Sequence, residues 1–325
     1  MSPLVPIVLY SLCVLLASLA GGWLPTRFRL THTRVQMLMS FVGGLMLGIG
    51  LFHLLPHAVG GQVTLDRAIG WMVVGLLTTF FLIRVFHFHQ HAPPPGEAVV
   101  EHDDHGHPHE QPNQHHHSHV PGAKHKWSWI GVTLGLTLHT LLDGVALAAA
   151  VMFEMDHAGE TAGGEAAAVV GLPLGGYLFG VAVFLGILLH KPLDSLSITA
   201  LMAAGGWPLR TRQIVNLGYA LMCPLGAALF YFGVYGTAQQ DQLVGCALAF
   251  AAGIFVCIAL GDLLPELQFH SHDRIKLSLL VLLGIGAAYG IGYLEPAHIH
   301  AHDRPGVDSP HDHSGHEHGQ GNDER

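Results

Sequence analysis

Apolar stretches of about 20 residues recur eight times along the chain, and this feature limits the fold more than any other. A segment of that length crosses the hydrocarbon core of a bilayer as an α-helix, because a helix satisfies all its backbone polar groups internally. Charged residues make up only 11% of the chain, whereas soluble domains carry about 25%. The sequence therefore predicts an all-α membrane protein with eight transmembrane helices. We expect the spans at residues 4–24, 36–57, 68–89, 128–152, 171–205, 213–236, 243–266 and 277–294.

Two histidine-rich segments differ sharply from the apolar ones. Residues 87–125 hold 12 histidines, and residues 298–318 hold seven more. Both are also rich in Pro, Gly, Asp and Glu, so neither can bury a core, and we expect disordered tracts that bind metal weakly. The predicted organisation is helices one to three in 1–86, a histidine-rich loop in 87–127, helices four and five in 128–205, helices six to eight in 206–294, and a histidine-rich tail in 295–325.

The distribution of basic residues predicts how the helices are oriented. Cytoplasmic connections of membrane proteins carry an excess of Lys and Arg. Four connections (one–two, three–four, five–six and seven–eight) share one side and carry ten basic residues, whereas the opposite side carries three. We therefore expect both termini outside and the 87–127 loop in the cytoplasm. The ten residues are Arg27, Arg29, Arg34, Arg84, Lys124, Lys126, Arg210, Arg212, Arg274 and Lys276, and the three are Arg67, Arg304 and Arg325.

Helices two and seven carry similar sequences. Residues 42–57 read VGGLMLGIGLFHLLPH, and residues 251–266 read AAGIFVCIALGDLLPE. On the predicted topology the two helices run in opposite directions, as the helices of an inverted repeat do. This similarity favours a 3+2+3 inverted-repeat arrangement, in which helices four and five lie between two related groups of three. The matched polar and glycine positions are Gly44 with Gly253, His53 with Asp262, and His57 with Glu266.

Helices four and five share one polar motif. Helix four contains LHTLLDG and helix five contains LLHKPLD, so His139 precedes Asp143, and His190 precedes Asp194, by four residues. This spacing places both side chains of a pair on one helix face. Two such faces opposed would offer two imidazoles and two carboxylates to one cation, a ligand set that suits zinc and other first-row divalent ions. We expect a metal site at mid-membrane.

A lysine lies inside the second motif. Lys191 is three residues before Asp194, so its ammonium can pair with that carboxylate or, across the helix interface, with Asp143. An unpaired charge at this depth would be costly. We therefore hypothesise that Lys191 occupies the space of a second metal ion. Pro192 follows it and is expected to bend the helix or free a backbone carbonyl.

Four further polar residues lie in helices two and seven. His53 and His57 are expected near the outer end of helix two, and Asp262 and Glu266 near the inner end of helix seven. They are predicted to line the two vestibules of an ion pathway. Capping of the helix ends at the membrane interface is the alternative, and it needs no metal.

Taken together, these residues resemble the ZIP (Zrt/Irt-like) family of divalent metal transporters. The eight helices, the outer termini, the cytoplasmic histidine-rich loop and the 3+2+3 repeat match that family. The stretch AAGIFVCIALGDLLPEL is close to helix seven of ZIP proteins of the LIV-1 type. The resemblance covers nearly all of residues 4–294.

The two motifs also depart from the family pattern. ZIP proteins usually carry His-Asn-x-x-Asp/Glu-Gly in helix four and His-Glu-x-Pro-His/Glu in helix five, whereas this chain has Thr140 and Lys191 at the second positions. In the family those positions help to hold a second metal. The resemblance therefore implies that the principal site of His139, Asp143, His190 and Asp194 is intact and that the second site is lost. It also suggests Met46 as an added ligand.

The sequence thus predicts a carrier that moves divalent ions toward the cytoplasm by alternating access. Zinc is the first candidate, with cadmium, iron and manganese as alternatives, and the metal is cargo rather than a prosthetic group. The expected location is a lipid bilayer, the cell (inner) membrane if the host is bacterial, with no nucleic-acid partner and a homodimer left open. The alternatives are a cation-diffusion-facilitator exporter and an intramembrane zinc-dependent hydrolase. His-Glu-x-x-His, the usual metalloprotease helix, is absent, so we do not expect an enzyme.

Overall fold

The computed structural model describes residues 2–27, 32–60, 62–86, 128–158, 179–269 and 274–292. All regular structure in these ranges is helical, which confirms the predicted all-α class. The helices are α1 (Leu4–Arg27), α2 (His32–Ile49, continued by the π-helical turn Gly50–Leu54 and by Leu55–Gly60), α3 (Leu65–Phe86), α4 (Ser128–Ala158), α5 (Val181–Ala204), α6 (Leu209–Ala220 and Met222–Val234), α7 (Gln240–Phe269) and α8 (Arg274–Ile291).

Seven of these helices are long and apolar enough to cross a membrane, and the eighth apolar helix is shorter. Its apolar part, Ile275–Ile291, lies at the lower end of the roughly 17–25 residues that span a bilayer. Large apolar side chains remain exposed along α3 and α8, for example Phe81 and Leu282. Such outward apolar faces suit contact with lipid tails, and the chain is an all-α membrane protein.

Glycines allow two pairs of helices to approach at backbone distance. A Cβ atom at Gly44 of α2 would collide with the backbone of Val281 in α8, and one at Gly253 of α7 would collide with the backbone of Met72 in α3. The residues of the two contacts occupy equivalent positions in the two halves of the chain. Gly253 lies as many residues after Gly44 as Val281 lies after Met72. The same contact therefore occurs twice, as an inverted repeat would produce, although the 3+2+3 grouping itself stays a prediction.

Glycine contacts also hold the two motif helices. Gly226 of α6 lies against the backbone of Leu141 in α4, and Gly144 of α4 lies against the backbone of Cys223 in α6. On the other side, Gly21 of α1 lies against the backbone of Pro192 in α5. Small residues are what membrane helices use to pack closely, because lipid tails provide no hydrophobic force between them.

The core that supports the motif helices is apolar and continuous. It lies between α2, α4, α5 and α7, and its fully buried members include Ile49, Leu147, Ile187 and Phe255, one from each helix. Beyond α5, the chain turns at Gly206, whose φ of 76° favours glycine, and α6 begins after Pro208. This turn returns α6 to the side of the motif helices.

Candidate metal centre

The structure brings the four residues of the two His-x-x-x-Asp motifs together between α4 and α5. His139 Nε2 lies 3.2 Å from Asp143 Oδ2, and His190 Nε2 lies 3.4 Å from the same oxygen. One ligand atom from each of these three residues lies within 4.8 Å of the others. All three are buried, and they lie near the middle of their helices. The opposed faces predicted from the spacing are present.

Asp194 lies slightly apart from this group. Its Oδ2 is 4.0 Å from His139 Nε2 and 3.9 Å from His190 Nε2. The same oxygen accepts a hydrogen bond from the Tyr219 hydroxyl at 2.9 Å and another from Lys191 Nζ at 3.1 Å. The Asp194 side chain keeps 19% of its surface exposed, whereas that of Asp143 is fully buried.

Lys191 is fully buried and lies between the two carboxylates. Its Nζ contacts Oδ2 of Asp143 and lies 3.1 Å from Oδ2 of Asp194. It also donates a hydrogen bond of 3.1 Å to Thr140 Oγ1. The sequence left the pairing of Lys191 with Asp194 or with Asp143 open, and both contacts occur. The ammonium has an acceptor for each of its three hydrogens.

The hydrogen bonding of the imidazoles fits a cation between them. His190 Nδ1 lies 2.7 Å from the carbonyl oxygen of Gly186. Because a carbonyl only accepts, Nδ1 must carry the proton, and a neutral ring then presents a lone pair at Nε2 toward Asp143. Both ring nitrogens of His139 and the Oδ1 atom of Asp143 are buried and have no hydrogen-bond partner among the residues that the structure describes. Buried polar atoms left in this state are costly, and a bound divalent ion would take up one nitrogen of His139 and a carboxylate oxygen of Asp143.

Other predicted site residues lie away from this group or are less fully described. Met46 is buried in the core of α2, and its role as a ligand stays a prediction. His53 lies in the π-helical turn, with Nε2 2.7 Å from the carbonyl oxygen of Ala288 in α8, and the His57 ring lies 4.9 Å from that of Phe153. Asp262 and Glu266 belong to α7, but their side chains lie outside what the structure describes.

Sequence reasoning missed Tyr219. This tyrosine is 2% exposed in α6 and packs with Ile198 and Met202 of α5. Its hydroxyl reaches Asp194, and Lys191 Nζ lies 5.8 Å from its ring centroid. A tyrosine in a membrane helix carries no motif, so only the packing of α6 on α5 identifies it.

Comparison with known proteins finds similarity to zinc transporters. The family model described as "ZIP Zinc transporter" matches residues 168–292, which include α5 to α8. The chain is 30% identical over 175 residues to "Zinc transporter ZIP9-B" of Xenopus laevis, a match that covers 52% of this chain and 48% of that protein. It is 24% identical over 317 residues to "Zinc transporter 5" of Oryza sativa subsp. japonica, covering 85% of this chain and 82% of that protein. The chain therefore spans about half the length of the Xenopus relative and most of the rice one.

Proposed function

We propose that the chain is a member of the ZIP family of zinc transporters, to which it is similar, and that it carries divalent metal ions, zinc first, across a membrane toward the cytoplasm. Members of this family are transporters rather than enzymes, which removes the hydrolase alternative. The metal is the cargo of the protein.

One observation carries the proposal. His139, Asp143 and His190 place their ligand atoms within 4.8 Å of one another in the middle of two membrane helices. Imidazole and carboxylate together are the donors that zinc commonly takes in proteins. Asp194, held by the same helix face as His190, supplies the fourth ligand when an ion is present. Four such ligands complete the tetrahedral shell that zinc prefers.

The burial of the site supports alternating access. His139 is 7% exposed and Asp143 is 1% exposed, so an ion cannot reach them or leave unless helices move. In carriers built from repeats, rocking of one helix group against another opens the site to one side at a time. The vestibules would be lined by His53 and His57 on one side and by Asp262 and Glu266 on the other.

The surroundings of Lys191 support a single transported ion per cycle. Its ammonium group contacts Asp143 and Asp194 and donates to Thr140, where the family pattern places ligands of a second metal. A tethered cation and a second zinc ion would repel each other at this distance. Lys191→Glu is expected to raise the number of bound zinc ions from one to two, as counted by calorimetry or by metal analysis of the purified protein. An unchanged stoichiometry would contradict this assignment.

Transport in proteoliposomes tests the function directly. The purified chain should take up zinc down a gradient, and a competition series with cadmium, iron and manganese should rank the ions. The double variant His190→Ala with Asp194→Ala should reduce uptake at least tenfold, because it removes half of the ligands. Ser197→Ala, an exposed change on the same helix, is the matched control. Normal uptake by the double variant would refute the site.

The direction of transport separates this proposal from an exporter of the cation-diffusion-facilitator type. In cells that express the chain, internal zinc is expected to rise when zinc is added outside. A fall in internal zinc below that of control cells would favour the exporter. The histidine-rich loop at 87–127 is proposed to receive the ion in the cytoplasm.

A further inference from the structure

We infer that Tyr219 is a positioning residue that holds the Asp194 carboxylate apart from the other three ligands and so makes Asp194 the releasable ligand of the transported ion. The inference rests on the proposed function, because it assumes that an ion binds between α4 and α5. It adds a residue from a third helix, α6, to a site that the sequence assigns to two.

Two carboxylates face the same pair of histidines at different distances. Asp143 Oδ2 lies 3.2 and 3.4 Å from the two Nε2 atoms, whereas Asp194 Oδ2 lies 4.0 and 3.9 Å from them. Only Asp143 therefore joins the compact group of ligand atoms. Zinc requires oxygen ligands at about 2.0–2.2 Å, so the Asp194 side chain must turn toward the ion in order to bind it.

Tyr219 opposes that turn. Its hydroxyl donates a hydrogen bond of 2.9 Å to Asp194 Oδ2, and a hydrogen bond to a carboxylate is stronger than one between neutral groups. Lys191 also donates to this oxygen, but it has Asp143 and Thr140 as further acceptors.

The ring of Tyr219 fixes the position of its hydroxyl. It is 2% exposed and packs with Ile198 and Met202 on α5, one and two turns beyond Asp194. A buried ring cannot follow the carboxylate when that group moves. The hydrogen bond and the ion therefore compete for Asp194, which weakens ion binding and speeds ion release.

Tyr219→Phe tests the inference while keeping the packing, because it removes only the hydroxyl. Zinc titration of the purified full chain by calorimetry should show a dissociation constant about tenfold lower than in the wild type, a change equivalent to about 1.4 kcal/mol. In proteoliposomes, KM for zinc should fall and the maximal rate should fall with it, because the ion leaves more slowly. A general loss of structure would raise KM instead.

Two further measurements separate positioning from packing. In an Asp194→Ala background, Tyr219→Phe should change zinc affinity by less than twofold, because the group that it restrains is gone. Tyr231→Phe, another buried tyrosine of α6 that stacks on Tyr235, should behave like the wild type. Equal or weaker zinc binding by Tyr219→Phe, with a wild type that binds and transports zinc, overturns the inference. A wild type that does neither overturns the proposed function and the inference with it.

Discussion

At the scale of single residues, Lys191 sets the charge balance of the site. It is 0% exposed, and it contacts two carboxylates that would otherwise face each other in an apolar core. Buried charges persist only when they are paired and hydrogen-bonded. An unpaired lysine inside a membrane helix would be costly, but Lys191 contacts both carboxylates and also donates a hydrogen bond to Thr140.

Replacing this lysine with an apolar residue tests that role. Lys191→Met should lower the free energy of unfolding by about 3–5 kcal/mol, because it leaves the buried carboxylate of Asp143 and the partly buried one of Asp194 without their cation. Added zinc should restore most of the loss, since a divalent ion can replace the ammonium. Thermal unfolding of the purified protein with and without zinc measures both effects. Lys276→Met, at an exposed position on α8, should change stability by less than about 0.5 kcal/mol.

At this scale, the helix face shared by each histidine and its aspartate was predictable from the sequence, but the contacts of these side chains were not. A spacing of four residues places His139 with Asp143 on one face whatever the rest of the chain does. Which carboxylate closes on both histidines depends on how α4 and α5 meet. Asp143 rather than Asp194 lies close to both histidines, and Asp194 instead accepts a hydrogen bond from Tyr219 of a third helix; no local pattern contains these contacts.

At the scale of helices, glycine contacts determine which elements move together. Gly226 and Gly144 join α6 to α4 at backbone distance, and Gly21 joins α1 to α5. Interfaces packed this closely tolerate little sliding. Any movement that opens the proposed metal site should therefore carry α4 with α6 and α5 with α1 as units.

Two glycines of α6 provide a matched test of this packing. Gly226→Ala places a methyl group against the backbone of Leu141 and should cost about 1–3 kcal/mol of stability with a marked loss of transport. Gly218→Ala lies in open space on the same element and should be neutral or stabilising, because alanine favours helix. Thermal unfolding and zinc uptake measured on both variants make the comparison. Equal effects of the two changes would contradict the close packing of α4 on α6.

At the scale of the whole molecule, the orientation of the chain in the membrane is predicted from the distribution of basic residues. Ten basic residues flank one set of connections and three lie on the other side. The positive-inside rule then predicts that the 87–127 loop lies in the cytoplasm and that both termini lie outside. This predicted orientation bears directly on the proposed direction of transport.

Cysteine labelling of intact cells tests the orientation. Ala301→Cys in the tail should react with a membrane-impermeant maleimide, whereas Ala92→Cys in the histidine-rich loop should react only after the cells are opened. The unmodified chain, whose four cysteines lie in apolar helices, gives the background. Reaction of the loop variant in intact cells would reverse the predicted topology.

The sequence by itself determined the class of the protein and which His and Asp side chains share a helix face. Runs of apolar residues long enough for a bilayer admit only helices, and the helical period fixes which side chains share a face, because both effects act within one segment. Only the tertiary structure decided that the two faces meet, that Lys191 bridges both carboxylates, and that Tyr219 of α6 hydrogen-bonds to Asp194. These contacts join segments far apart in the chain, and they depend on side-chain packing between helices, which no local spacing encodes.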